Sequence, residues 1–346
     1  MKTIDMDIKN GQLKHVYLLY GEETYLLETD LKKIKKEHNE LLPGINYILL
    51  DDSNVSGLIS ELETPAFGFE KKLIIAKNTG LLKKEKKTAT KGKTEKKKSD
   101  KKLQLNEIIA EYLEVNTEQI KDVVDLVFVE QEVDKNSLFQ TIEKVGQIKE
   151  YGVLKLPEII SHLKKVCSLY KVEISDDTAK YLVECSGTNM QDLMNEIRKL
   201  IEYTGEGNKI SKEDIDMLCT KQIQAVIFDL TDNLGKKETK KALEVYNGLI
   251  HNKEPIQKIL ITLYNHFKKL YIIKMAEKYR QDAAQAMNLK PNQMFLVGKY
   301  KAQSKYFKEE ELRIILEELI NLDSNSKIGL ISLDIGLESV LCRYCS

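Results

Sequence analysis

Long apolar runs are missing from this chain of 346 residues. None approaches the roughly 18 apolar residues of a membrane span, and the opening MKTIDMDIKN has no apolar stretch of the kind that drives secretion. Arginine is scarce, with four (Arg198, Arg280, Arg313, Arg343) among 54 basic residues, so few side chains could grip phosphate or carboxylate in two-pronged fashion. The five cysteines, Cys167, Cys185, Cys219, Cys342 and Cys345, are odd in number and scattered, which argues against a disulfide framework and for reduced thiols in a cytoplasmic protein. Cys342 and Cys345 form one C-x-x-C without the second pair that zinc needs or the strand-to-helix turn that redox chemistry needs. The five histidines, at 15, 38, 162, 251 and 266, have no ligand spacing to one another or to a cysteine. No metal, cofactor or catalytic site is expected.

The net charge of zero conceals an asymmetry. Residues 83–102 hold eleven Lys against Glu85, Glu95 and Asp100, so the rest of the chain is mildly acidic and has no bulk attraction to nucleic acid or membrane. That Lys/Thr/Ser tract is too poor in apolar residues to bury surface, and the expectation for 83–102 is a disordered loop. The tract could touch nucleic-acid phosphates, but no aromatic stacking residue lies in it.

A hydrophobic fraction of 42% supplies globular cores, and the length calls for two or three of them. Apolar runs at 16–20, 46–50, 73–76, 123–129 and 148–151 read as strands, with helices between them. Strands alternating with helices imply a mostly parallel sheet covered on both faces, over 1–155. Strand signals then cease. Pro157 at a helix start, Ser175 and Asn189 as caps, and the Ser211/Asp214 capping box mark a small helical domain over 156–220. The wide apolar face Leu260, Leu263, Tyr264, Phe267, Tyr271, Ile272, Met275 marks an all-helical bundle over 221–346.

Val16–Leu31 has the outline of a nucleotide-binding strand, turn and helix. A phosphate loop reads G-x-x-x-x-G-K-[ST], where the second Gly admits backbone N–H groups, Lys neutralises charge and the hydroxyl holds Mg²⁺. Set on Gly21, that template places Leu26, Leu27 and Glu28 at its last three positions, none of which can do this chemistry. After the third strand, where a nucleotide hydrolase carries acidic residues, stand Lys77 and Asn78. An ordinary strand-to-helix turn is the other reading of these residues.

Between a helix and the third strand lies Pro65-Ala66-Phe67-Gly68-Phe69. Two rings in a short connection either close the sheet edge or are offered to a partner, and the residues leave both readings open.

The order and spacing of VYLLYGEETYLLE, PAFGF leading into KKLIIAKN, GTNMQDLMNEIRKL, IFDLTDNLGKKETKKAL and LIHNKEPIQKILITLYNHFKKL resemble the delta subunits of the bacterial DNA polymerase III clamp loader. The resemblance implies an AAA+-like α/β domain, a helical lid and a helical collar. It implies a subunit of a DNA-directed DNA polymerase holoenzyme that hydrolyses no ATP and needs no cofactor. Its partners would be the beta sliding clamp, the delta prime and tau/gamma subunits in a hetero-pentamer, and primed DNA, with no membrane. The segment before the third strand enters a clamp pocket in that family, a role that falls on Phe67 with Pro65, Ala66 and Phe69 beside it. The nucleotide-contacting Arg of the third lid helix falls on Gln191. Delta prime itself is disfavoured, since no Ser-Arg-Cys tripeptide occurs. An active NTPase with an unusual phosphate loop and a DNA-binding adaptor working through 83–102 are the alternatives.

Overall fold

The computed structural model describes residues 4–83 and 93–345, with side chains for 4–83 and 103–344. It divides into two compact units, Met1–Val153 and Leu154–Ser346.

In the first unit, five strands form one parallel sheet: β1 (Val16–Tyr20), β2 (Tyr47–Leu50), β3 (Lys72–Lys77), β4 (Val124–Glu130) and β5 (Gln147–Glu150). Their spatial order is β2-β3-β4-β1-β5, with Val16 beside Leu126 and Tyr47 beside Leu73. Parallel neighbours need crossovers, supplied by α2 (Thr24–Lys36), α3 (Leu58–Glu63), α4 (Lys93–Ile120) and α5 (Ser137–Val145), while α1 (Ile4–Lys9) precedes the sheet. Because strand side chains alternate, the two faces bury separate cores. Val16, Leu18, Ile74, Leu126 and Phe128 pack with Leu58, Ile109, Leu113 and Ile142 on one face. Tyr17, Leu19, Leu73, Ile75 and Val127 pack with Leu27, Leu31 and Ile34 on the other. Central β4 is buried along its whole length, as a strand covered on both faces must be.

The expected disordered loop over 83–102 requires a correction. Residues 84–92 lie outside the described residues, but Lys93–Lys102 are the first turns of α4. Low hydrophobicity keeps such a stretch from nucleating a helix alone. It does not prevent extension from a helix already docked through Ile109 and Leu113, since each added residue gains one backbone hydrogen bond and Lys is a good helix former.

The regular elements of the second unit are helices, with one isolated parallel bridge between Glu173 and Lys209 among its described residues. Helices α6 (Leu156–Leu169), α7 (Asp176–Ser186), α8 (Met190–Thr204) and α9 (Lys212–Leu218) come first. Ser175 Oγ accepts the Thr178 N–H, the Asn189 side chain accepts the Asp192 N–H, and Ser211 and Asp214 cap reciprocally, so three starts are set by local chemistry. There follow α10 (Ile223–Gly235), α11 (Thr239–His251), α12 (Ile256–Lys278), α13 (Ala283–Ala286), α14 (Leu296–Ser304), α15 (Glu309–Lys327) and α16 (Leu333–Cys345). A 3₁₀ turn at Pro291–Gln293 precedes α14. On α12, Leu260, Leu263 and Phe267 are fully buried and pack with Ile227, Leu230, Ile315, Leu319 and Leu337 from α10, α15 and α16. No helix among the described residues is long and apolar enough to cross a membrane.

Candidate functional site

Thr64, extended at φ −78° and ψ 126°, ends α3, as expected of a residue before proline. The chain then makes a tight turn in which the Phe69 N–H donates to the Ala66 carbonyl at 3.2 Å. Both central residues have positive φ, Phe67 at 34° and Gly68 at 91°. Gly68 takes that conformation freely, whereas Phe67 pays about 1–3 kcal/mol for it. Ala66 is buried beneath the turn, Pro65 is exposed, and Phe67 is 70% exposed. Phe69 is half-buried and lines a cleft of about 510 Å³ with Asn46, His38, Lys71 and Asp125. Of the two rings, the outward one is Phe67.

At the opposite end of the strands, the turn after β1 is occupied by main chain. Gly21 has φ 135°, and a Cβ added there would lie 2.2 Å from the Tyr151 carbonyl oxygen. The Tyr151 N–H donates to Tyr20 O at 2.7 Å, and its carbonyl accepts the Glu23 N–H at 2.9 Å, one of the amides at the mouth of α2. A charged cluster holds Tyr151 there. Its hydroxyl donates to Asp30 Oδ2 at 2.8 Å, Lys149 Nζ reaches the same oxygen at 2.6 Å, and Lys33 bridges Asp30 at 2.8 Å and Asp5 at 2.7 Å. Burial works against the Asp30 carboxylate, yet the hydrogen bonds from Lys149, Lys33 and Tyr151 hold it below the ordinary range.

Of the template positions, Leu27 is buried in the core beneath α2 and Leu26 packs partly against it. Glu28 Oε1 meets Lys77 Nζ at 2.5 Å. The two positions that in a hydrolase would share Mg²⁺ carry opposite charges here and neutralise each other. Beside them, buried Glu130 at the end of β4 accepts the Thr79 N–H at 2.8 Å and hydroxyl at 2.7 Å, and burial pushes its carboxyl up.

The family model "DNA polymerase III, delta subunit" matches residues 17–151, and "DNA polymerase III delta subunit, C-terminal domain" matches 224–344. The DNA polymerase III subunit delta of Bacillus subtilis is 27% identical over 327 residues, covering 93% of this chain and 90% of that protein. The probable DNA polymerase III subunit delta of Aquifex aeolicus is 28% identical over 324 residues, covering 91% and 87%. The chain belongs to the DNA polymerase III delta subunit family. In fold it is similar to the Bacillus subtilis DNA clamp loader delta protein, with a TM-score of 0.70 at 23% identity over 99% of this chain and 98% of that one.

In this delta-family chain, Gln191 is the second residue of α8, exposed, with its Nε2 donating to Asn195 Oδ1 at 3.2 Å. Burial pushes the thiols of Cys167 and Cys219 up to about 11 and about 12, so both stay protonated as core side chains. Cys342 is half-buried on α16, and the Cys345 side chain lies outside the described residues. No group of three or more His, Cys, Asp or Glu among the described residues is placed to share a metal ion.

Three features escape a reading of the sequence. Tyr151 gives no local signal, because only its position beside Gly21 matters. The Glu28–Lys77 pair joins residues 49 positions apart. Lys72 carries the one visible sign, a lysine opening an apolar strand.

Proposed function

We propose that this chain binds the beta sliding clamp through Phe67 and helps to open it for loading onto primed DNA, without turning over nucleotide itself. The observation carrying this reading is the Phe67 turn. Exposing 70% of a phenyl ring and holding it at positive φ are both unfavourable in the isolated chain, and binding in an apolar pocket of a partner would repay them. Clamp opening then needs differential affinity: the open ring must bind more tightly than the closed one, and only that difference shifts the equilibrium.

The absence of turnover is supported by the Tyr151 main chain seated at Gly21, the Glu28–Lys77 pair, and leucines where the loop glycine and lysine belong. In the second unit, we assign 156–220 to a lid and 221–346 to the collar through which delta prime and tau/gamma subunits assemble in the cytoplasm. The name of the Bacillus subtilis structure supports the clamp-loader setting.

The test is calorimetric titration of the full chain with a bacterial sliding clamp. Phe67→Ala is expected to weaken binding by about 30-fold or more, equivalent to roughly 2 kcal/mol, with unchanged thermal stability. Phe69→Ala, which removes a half-buried ring, is expected to lower stability. Equal affinities of wild type and Phe67→Ala would refute the assignment, as would steady ATP hydrolysis by the isolated chain.

A further inference from the structure

Lys72 is a charged residue in a place that packing alone would give to a hydrophobe. It opens β3 with 1% exposure, directly before the core residues Leu73–Ala76. Its Nζ donates to the Glu61 carbonyl at 2.9 Å and to Glu61 Oε2 at 2.7 Å. A methionine would fill this volume without the cost of desolvating an ammonium. What the ammonium adds is a directed tie between two points eleven positions apart in the chain.

Those two points are the arms of the Phe67 turn. Glu61 lies in the last turn of α3, where a cation is favoured near the unsatisfied carbonyls, and Lys72 is the first residue after the turn segment. Joining them fixes the end-to-end distance of 62–71 and removes much of its closure freedom. A second tie holds the strand side: Lys71 Nζ reaches Asp125 Oδ1 at 3.0 Å and the Lys121 carbonyl at 3.1 Å, while Asp125 Oδ2 lies 3.3 Å from His38 Nε2.

We infer that Lys72 and Glu61 form an ionic latch that positions Phe67 for its partner. Both are positioning residues, acting through the turn; this rests on the clamp-binding reading above. The latch removes in advance the ordering cost that a loose loop would incur on binding.

The experiment uses the full chain as wild type, Lys72→Met, Glu61→Gln, Phe67→Ala and the Phe67→Ala/Lys72→Met double variant. Hydrogen–deuterium exchange on the chain alone is expected to accelerate about ten-fold in the 62–71 segment of Lys72→Met, with 16–20 and 124–130 still protected. Affinity for a sliding clamp is expected to fall about ten-fold in Lys72→Met, and by less than about two-fold when the same change is made on Phe67→Ala. A merely structural lysine would lower affinity equally in both backgrounds, and that result overturns the latch. Unchanged exchange in 62–71 also overturns it. Should Lys72→Met not fold cooperatively, Glu61→Gln takes the same two readouts, with smaller changes of the same sign expected and unchanged exchange again overturning the inference. If Phe67→Ala leaves clamp affinity unaltered, the clamp reading fails, and the exchange measurement still decides the latch.

Discussion

Replacing Gly21 by Ala is expected to destabilise the N-terminal unit by about 3–5 kcal/mol, the largest effect of any single methyl addition considered for this chain. Two terms combine. At φ 135° an L-residue is strained, at a cost of about 1–3 kcal/mol. The new Cβ would also sit 2.2 Å from the Tyr151 carbonyl oxygen and 2.6 Å from its carbon, and these are backbone atoms pinned through Asp30, so they cannot swing aside as a flexible side chain could. Gly44→Ala is the matched control. Its φ is 80°, but nothing lies within 4 Å of the added atom, and about 1 kcal/mol is expected from backbone strain alone. Urea titration of both variants checks the ranking. Equal midpoints would mean that the β5 end is free to move and that Tyr151 does not occupy the turn. This result bears on function, because it separates a glycine kept for phosphate from one demanded by close packing of the chain.

Acid is expected to weaken the C-terminal unit through one residue, His266. It is fully buried on α12, with Nε2 2.6 Å from Gln303 Oε1. The Gln303 amide nitrogen donates to the Phe228 carbonyl and to Asp232 Oδ1, both at 2.8 Å, which turns its oxygen toward the histidine. His266 Nε2 therefore carries the proton, leaving Nδ1 to accept from Gln224 Nε2 at 3.3 Å. Phe228 stands edge-on at 4.5 Å between ring centres, and Tyr300 lies at 5.1 Å. Burial pushes the imidazole pKa down to about 3 from 6.5; the Gln303 bond opposes the shift and the Lys269 charge adds to it.

The sign follows from linkage. A histidine that stays neutral in the fold but charges readily when unfolded contributes fully above pH 6.5, and its contribution is lost as pH falls toward the folded value. The loss is about 1.4 kcal/mol per pH unit, or about 2 kcal/mol between pH 7 and pH 5. Unfolding free energies of wild type and His266→Gln across that range test this. The wild-type slope is expected to be the steeper one. His15, whose pKa burial also lowers, adds the same slope to both proteins and cancels in the difference. Parallel slopes would refute the assignment.

How much could be read beforehand varies from element to element. β1 spans Val16–Tyr20, the bounds expected from its apolar run and the Gly that follows, because burial period and turn residues act within a few positions. The caps at Ser175, Asn189 and Ser211 belong to the same class. Lys93–Lys102 did not, since a helix can be extended by a nucleus lying outside the window that composition describes. Within Pro65–Phe69, the composition left Phe67 and Phe69 equivalent. The positive φ of Phe67 and the cleft beside Phe69 distinguish them.

By itself the sequence determined where strands and helices alternate, where they stop, and that the residue types of a phosphate loop are missing after Gly21, for these rest on neighbours within a turn or two. Only the tertiary structure decided that Tyr151 sits on Gly21, that Glu28 is neutralised by Lys77, that Lys72 ties the base of a turn and that Phe67 is the ring facing outward. Each of those depends on segments far apart in the chain meeting at hydrogen-bond distance, and no local pattern encodes which distant partner arrives.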